Sequence, residues 1–155
     1  MRIVARQLPL EQLILVLTEE HQDQRKRLAD LIDALEKKEF ERGGQLASEF
    51  DQSSIQHIVD EENVLLKLFI DTYGRNGAND AIKVFQQHRT IHKLADTISK
   101  LALPSPSELG AIPTDFQRLV HSHFKAEEER IFPWALKIHE MQVGSKKNAE
   151  TGNII

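Results

Sequence analysis

The sequence contains no cysteine in its 155 residues. A chain without thiols forms no disulfide, no iron–sulfur cluster and no cysteine-ligated zinc site. Glycine and proline are also scarce, at seven and five residues. The length suits a single domain that buries its own core. With 40% hydrophobic and 28% charged residues, the composition indicates a globular protein and excludes disordered and collagen-like classes.

A basic excess and a long apolar run are both lacking. The 20 basic and 24 acidic side chains give a net charge of −4, which argues against a nucleic-acid partner, because such proteins carry a basic face. The longest early apolar run, residues 13–17, is too short to cross a bilayer. Pro9 and Glu11 interrupt what would be the apolar part of a signal peptide. We therefore expect a cytoplasmic protein without a membrane partner.

The few glycines and prolines cluster at three places, around residues 42–44, 73–77 and 103–113. They divide the chain into segments of about 10–40, 44–72, 78–103 and 113–140. No segment alternates with period two, and all are rich in helix-forming residues. The sequence predicts an all-α protein, an up-down-up-down antiparallel four-helix bundle over residues 1–142 with a short N-terminal segment, followed by a flexible tail over 143–155.

Each segment carries apolar residues at spacings of three and four, which is typical of one buried helix face. Pro133 falls inside the fourth pattern and should kink or interrupt that helix. The predicted core positions are Leu10, Ile14, Leu17, Leu28, Leu31, Leu35, Leu46, Phe50, Val64, Leu68, Ala81, Phe85, Ala95, Ile98, Phe116, Val120, Ile131, Trp134 and Ile138.

Polar residues with lone pairs fill the gaps in these apolar faces. They are His21 in the first segment, His57 and Glu61 in the second, His88 and His92 in the third, and His123 and Glu127 in the fourth. Buried imidazoles and carboxylates are costly unless they are paired or bind a metal. The three pairs spaced by four residues each share one helix face. One helix plus one loop separates successive histidines, so all seven should lie near one level of the bundle.

The donor set of five histidines and two glutamates contains no sulfur. Mononuclear zinc needs only three or four protein ligands, and magnesium and calcium prefer oxygen. Two iron or manganese ions bridged by the two carboxylates would use all seven residues. The abundance of imidazole favours iron or copper over the oxygen-seeking metals.

In order and spacing, these motifs resemble the hemerythrin-like (HHE cation-binding) family. The family pattern is H, HxxxE, HxxxH, HxxxE, which here begins at His21, His57, His88 and His123 in turn. The run of residues 127–133 also resembles the end of the family's fourth helix. The resemblance covers about residues 10–140.

The resemblance implies a non-haem di-iron centre with an oxo or hydroxo bridge. It places His88, His92 and His123 on one iron and His21 and His57 on the other, with Glu61 and Glu127 bridging the two. One iron then keeps an open position for a small ligand. No catalytic side chain is predicted.

The chain departs from the oxygen-carrying hemerythrins at one position. Those proteins have an aspartate five residues after the histidine of the fourth helix, where this chain has Glu128. Five residues rotate a helix by about 140° from His123, whereas four keep Glu127 on the same face. We therefore predict Glu127 as the ligand. The HxxxE form is common in relatives that are not simple oxygen carriers, which argues against reversible oxygen transport.

Three functions remain open at this point. The preferred one is binding of O2, NO or peroxide at the open iron position, for sensing, buffering or binding, and a sensor would need a protein partner to carry the signal. The second is an enzyme that decomposes peroxide or processes NO. The third is iron storage or delivery, for which a two-iron site has little capacity. Whether the protein is an enzyme is not decided by the sequence.

Overall fold

The computed structural model describes residues 2–152, with side chains described through residue 145, and this part of the chain contains helices and turns but no strand. The predicted all-α class is confirmed. The α-helices are α1 (Leu10–Glu36), α2 (Phe40–Ser53), α3 (Ile55–Asp60), α4 (Lys67–Gly77), α5 (Asn79–Leu101), α6 (Ile112–Ala126) and α7 (Phe132–Gly152). Two π-helical segments, Glu61–Leu66 and Glu127–Ile131, join α3 to α4 and α6 to α7, and a 3-10 turn covers Pro106–Glu108.

The first chain reversal lies earlier than the sequence predicts. α1 ends at Glu36, and Lys38 adopts a positive φ of 63° in the turn. Gly43 and Gly44, expected to break the helix, lie inside α2. A Cβ on Gly43 would lie 2.5 Å from Leu35 Cδ2, and one on Gly44 would lie 3.3 Å from the Ser99 carbonyl oxygen. These glycines therefore let α2 pack closely against α1 and α5.

The two π-helical segments change which residues face the core. A π turn holds about one residue more than an α turn, so the positions that follow it are rephased. After the first segment Leu65 and Phe69 are fully buried, whereas Val64 and Leu68, the predicted core positions, are only half-buried. Pro133, the second residue of α7, follows the second segment. The α-helical hydrogen bonding thus changes to π-helical just before the proline, and a kink caused by Pro133 stays a prediction.

The last helix is longer than the sequence indicates. We expect it to end near residue 140, yet the backbone of α7 is helical through Gly152. This range overlaps the tail predicted for residues 143–155. The flexibility of that tail stays a prediction, and residues 153–155 lie outside the described residues.

The apolar core consists of two clusters separated by a polar layer. The first cluster includes Leu13, Leu17, Phe69, Phe85, Ile131 and Ile138. The second includes Leu28, Leu31, Phe50, Ile98, Phe116 and Val120. Buried histidines and carboxylates lie between the two clusters along the helices. The buried face thus changes from apolar to polar and back to apolar along α1, along α5, and along the continuous stretches α2–α4 and α6–α7, which places the polar layer in the middle of the helical structure.

The helices expose charged faces to solvent. Across residues 2–152, none has both the length and the apolar character that a bilayer crossing would require.

Candidate metal centre

The polar layer brings together six of the seven side chains that the sequence predicts as metal ligands. Each comes from a different helical element, and none is more than 6% exposed. These residues are His21 of α1, His57 of α3, Glu61 at the start of the first π segment, His88 of α5, His123 of α6 and Glu127 at the start of the second π segment.

The six donors form two groups that share both glutamates. His21 and His57 belong to one group, His88 and His123 to the other, and Glu61 and Glu127 to both. One ligand atom from each residue of a group lies within 4.8 Å of the others. A single oxygen, Glu127 Oε1, lies 3.1 Å from His21 Nε2 and also 3.1 Å from His123 Nε2. Each group could therefore hold a metal ion, and the two positions would be adjacent.

Several of these atoms approach one another without forming hydrogen bonds. Glu61 Oε1 lies 3.4 Å from His57 Nε2 and 3.0 Å from His88 Nε2. Neither contact has hydrogen-bond geometry, and both nitrogens, both Glu61 oxygens and Glu127 Oε2 are buried without a hydrogen-bond partner in the described part of the chain. Unpaired buried polar atoms are rare in folded proteins. A cation between these lone pairs would satisfy them together.

Without a cation, charge within the cluster is balanced by protons. Burial disfavours the charged form of His57, yet the charge of Glu61 and the hydrogen bond with Glu20 raise its pKa to about 10. Burial opposes the charge of His88 as well, but contacts with Glu127 and Glu61 raise its pKa well above 6.5. Metal ions bind neutral imidazole, so a bound metal must displace these protons.

The pKa of Glu127 shifts in the opposite direction from the pKa values of His57 and His88. Burial favours its neutral form, but the charge of His123 and hydrogen bonds within the cluster hold its pKa well below 4.5. The carboxylate is thus ionised across the neutral pH range, as metal ligation requires.

Charged partners support the two histidines of the first group. His57 Nδ1 lies 3.1 Å from Glu20 Oε1, and Arg6 Nη2 donates to the same oxygen at 2.8 Å. His21 Nδ1 lies 3.2 Å from Glu128 Oε2, which also accepts a hydrogen bond from Arg25 at 2.6 Å. Each imidazole therefore faces a carboxylate that is itself paired with an arginine. Such partners fix the ring orientation and the tautomer.

The segment before α1 takes part in this support. Arg6 donates from its backbone nitrogen to Asp60 Oδ1 at 2.8 Å and from Nε to Asp60 Oδ2 at 2.6 Å. Asp60 is fully buried and precedes Glu61 in the sequence. Arg6 thus links the N-terminal segment to α1 and α3 beside the first group.

The histidines of the second group have weaker partners. His123 Nδ1 donates to the amide oxygen of Gln87 at 2.9 Å, since a carbonyl oxygen can only accept. His88 Nδ1 has no hydrogen-bond partner among the described residues, and the nearest carboxylate oxygen, on Glu62, lies 4.0 Å away. Among the described side chains, no arginine pairs with Gln87 or Glu62.

Of the two adjacent glutamates in the fourth motif, Glu127 is the one that lies among the donors. Its side chain is fully buried, whereas that of Glu128 is 24% exposed and bonds to His21 and Arg25. This arrangement agrees with the choice made from helix geometry. Glu128 contributes by orienting a donor.

His92 is the predicted ligand that the structure does not bring into either group. Its side chain is 63% exposed, and Nδ1 lies 2.7 and 2.8 Å from the two carboxylate oxygens of Asp51. It shares a helix with His88 but occupies the rim of the site. The role of His92 as a seventh ligand stays a prediction.

Sequence reasoning missed two partners of the histidines, Glu20 and Gln87. Glu20 directly precedes His21, and Gln87 directly precedes His88. A search for polar residues next to the motif positions would have found both. Arg6 offers no such signal, because it lies outside every helical pattern.

A small cavity adjoins the donors. Its volume is about 30 Å3, and it lies against His57, His88 and His123 with apolar walls from Phe50 and Phe124. A space of this size admits about two water molecules, taking 10–15 Å3 for each. Only a very small molecule could reach the donors through it.

No protein-family model matches this chain, nor does any curated protein or solved structure. The functional conclusion therefore rests on the residues and geometry of the site.

Proposed function

We propose that this protein is a non-haem di-iron protein of the hemerythrin-like type that binds a small ligand, O2, NO or peroxide. The observation that carries the proposal is the convergence of unpaired, buried imidazole and carboxylate lone pairs in two groups that share Glu61 and Glu127. Two adjacent cations, each held by two of the histidines and by both glutamates, would satisfy these atoms together. The order of the motifs in the sequence agrees with this interpretation.

The donor set fits iron. His21 and His57 would hold one ion and His88 and His123 the other, with Glu61 and Glu127 shared between them. Mixed imidazole and carboxylate donors without thiolate are typical of non-haem iron sites. When bound, the iron pair would supply redox-active positions at which a small ligand attaches.

The order of the core clusters supports an up-down-up-down bundle. Along α1 and α5 the first cluster precedes the site histidine and the second follows it. Along the stretch from α2 to α4, and along that from α6 to α7, the order is reversed. Alternating order in four successive helical stretches is what antiparallel neighbours produce.

The surrounding side chains would hold the donors rigid and keep bulk water away. Phe124 stacks on His21 with ring centroids 4.0 Å apart, and Phe85 stacks on His88 at 5.4 Å. The two apolar clusters close the polar layer on both sides. Together with the small cavity, this environment suits diatomic ligands and peroxide better than larger substrates.

Reconstitution under controlled gas tests the proposal. The protein is loaded with ferrous iron without oxygen, its iron content is measured, and the optical spectrum is followed as O2 is admitted and removed. We expect two iron ions per chain and a visible charge-transfer absorption that appears with O2. Fading on removal of O2 indicates reversible binding, whereas permanent oxidation favours peroxide or NO turnover. Failure to retain iron above one ion per chain contradicts the proposal.

A further inference from the structure

One buried polar atom near the site is not accounted for by the metal donors. Gln24 of α1 is 4% exposed and lines the small cavity beside His57, His88 and His123. Its Oε1 is buried and has no hydrogen-bond partner among the described residues. Leaving such an acceptor unpaired is costly.

Ser53 fixes which end of the Gln24 amide is free. The Ser53 hydroxyl donates its single proton to the carbonyl oxygen of Phe50 at 2.8 Å. Its lone pairs therefore face Gln24, whose Nε2 donates to Ser53 Oγ at 2.5 Å. The amide NH2 must point towards Ser53, so the free end of the amide is an acceptor.

None of the described side chains that line the cavity donates a hydrogen bond to this acceptor. Phe50, Ile91 and Phe124 are apolar, and the hydroxyl of Ser54 donates to the carbonyl oxygen of Asp51 instead. His57 turns its Nδ1 towards Glu20, and neither its Nε2 nor either nitrogen of His88 forms a hydrogen bond with Gln24. A molecule inside the cavity is therefore the remaining source of a donor.

We propose that Gln24 is a specificity-determining residue that accepts a hydrogen bond from a small ligand carrying an O–H or N–H group. This inference rests on the proposed function, because it names the class of ligand that the same site prefers. The cavity of about 30 Å3 has room for about two non-hydrogen atoms. Hydrogen peroxide and hydroxylamine meet both conditions. NO has the right size but no proton, so it leaves Oε1 unpaired, and a site built around a hydrogen bond rejects such ligands.

Two ligands of similar size test the role of Gln24. Hydroxylamine is titrated into the zinc-loaded protein, which does no redox chemistry, and binding is followed by NMR of the Gln24 side-chain amide. NO is titrated into the ferrous protein without oxygen and followed optically. In Gln24→Met, which keeps the length of the side chain but lacks the acceptor, we expect the preference for hydroxylamine over NO to fall about tenfold relative to wild type. Because this variant has no side-chain amide, its hydroxylamine binding is followed by NMR of the cavity histidines, with the wild type measured in the same way.

Two further variants make the result specific. Ser53→Ala removes the group that orients the amide, so either end of Gln24 can face the cavity and the preference should fall only about twofold. Gln86→Met changes an exposed glutamine on α5 and should leave both affinities unchanged. Circular dichroism and metal content verify that every variant is folded and loaded.

The outcomes separate this inference from the proposed function. An unchanged preference in Gln24→Met, with two metal ions still bound, overturns the inference alone. A wild-type protein that holds no metal overturns the proposed function. Hydroxylamine titration of that metal-free protein then still decides the role of Gln24, since the cavity and its acceptor belong to the chain itself. Binding that Gln24→Met weakens supports the inference there, and equal binding or none overturns it.

Discussion

The two donor groups, here called the halves of the site, contain the same types of ligand but differ in the residues that hydrogen-bond to the outer nitrogens of their histidines. His21 and His57 each face a carboxylate that is paired with an arginine. His123 faces a neutral amide, and the outer nitrogen of His88 is unpaired in the described structure. A carboxylate partner makes an imidazole a stronger donor to a metal. We therefore expect the position at His21 and His57 to bind its metal ion more tightly than the position at His88 and His123. It should also favour the more highly charged state of that ion.

The largest expected effect on metal content comes from replacing a glutamate that both donor groups share. Glu127→Ala removes a ligand from both groups and leaves the buried histidines without their common counter-charge. We expect the metal content measured by mass spectrometry to fall from two ions per chain to fewer than one. His121→Ala, at an exposed position of α6, is the control and should keep both ions. Retention of two ions in Glu127→Ala contradicts the shared-ligand geometry.

Removing one histidine from each half should separate the two positions. His88→Ala leaves the better-supported position intact, so one ion should remain after dialysis against a weak chelator. His57→Ala leaves the weaker position, from which the same chelator should remove most of the metal. Equal retention in the two variants argues that the partners behind the histidines do not distinguish the halves.

Metal-free protein should lose stability as the pH rises. The pKa of His57 is about 10 in the folded protein, against an ordinary value of 6.5 for a solvated imidazole. Its contribution to the free energy of unfolding is complete below pH 6.5 and is lost as the pH rises towards 10. The pKa of His88 shifts in the same direction. Urea unfolding of chelator-treated protein should therefore show a falling midpoint between pH 6.5 and 10, and bound zinc should remove most of this slope. A flat or rising midpoint without metal contradicts the pairing.

The partners themselves can be compared directly. Glu20→Ala removes the carboxylate behind His57 and should weaken the first position by about 10- to 100-fold. Gln87→Ala removes only a neutral hydrogen bond behind His123 and should weaken the second position by about fivefold. Competition with a metal-binding dye measures both constants. A larger loss in Gln87→Ala reverses the proposed order of the two halves.

The smallest effect is expected at His92. Because its imidazole bonds to Asp51 at the rim, His92→Ala should leave the stoichiometry at two ions and change the affinity less than Gln87→Ala does. Loss of one ion shows instead that His92 turns inwards when metal binds, as the sequence pattern implies.

The sequence predicts the helical class and most of the site because both depend on periodicity. Apolar residues at helical spacing identify the buried faces, and His57, Glu61 and His123 stand out as polar residues on those faces. Features that depend on tertiary packing escape this reasoning. From the sequence alone Gly43 is interpreted as a helix break, because its close contact with Leu35 becomes evident only in the folded structure. Arg6 lies outside the helices and has no periodic signal.

The register error after Glu61 has a different cause. A strict period of 3.6 residues places Val64 and Leu68 inside, but the π turn adds one residue and turns Leu65 and Phe69 inwards. Val64, Leu65, Leu68 and Phe69 are all apolar. The sequence therefore fits either choice of buried positions and does not reveal the extra residue.

Both shared glutamates open a π-helical segment, so each of these helices carries one residue more than a continuous α-helix needs. That extra residue works as a phase adjuster. Before the extra residue, the buried face of the helix carries the metal donors. After it, the buried face carries the apolar core residues. Deleting the single codon of Asn63 would remove the extra residue, and Leu65 and Phe69 would then take the inward positions of an uninterrupted α-helix. The gain or loss of one codon in this segment would therefore leave the rest of the helix facing the core.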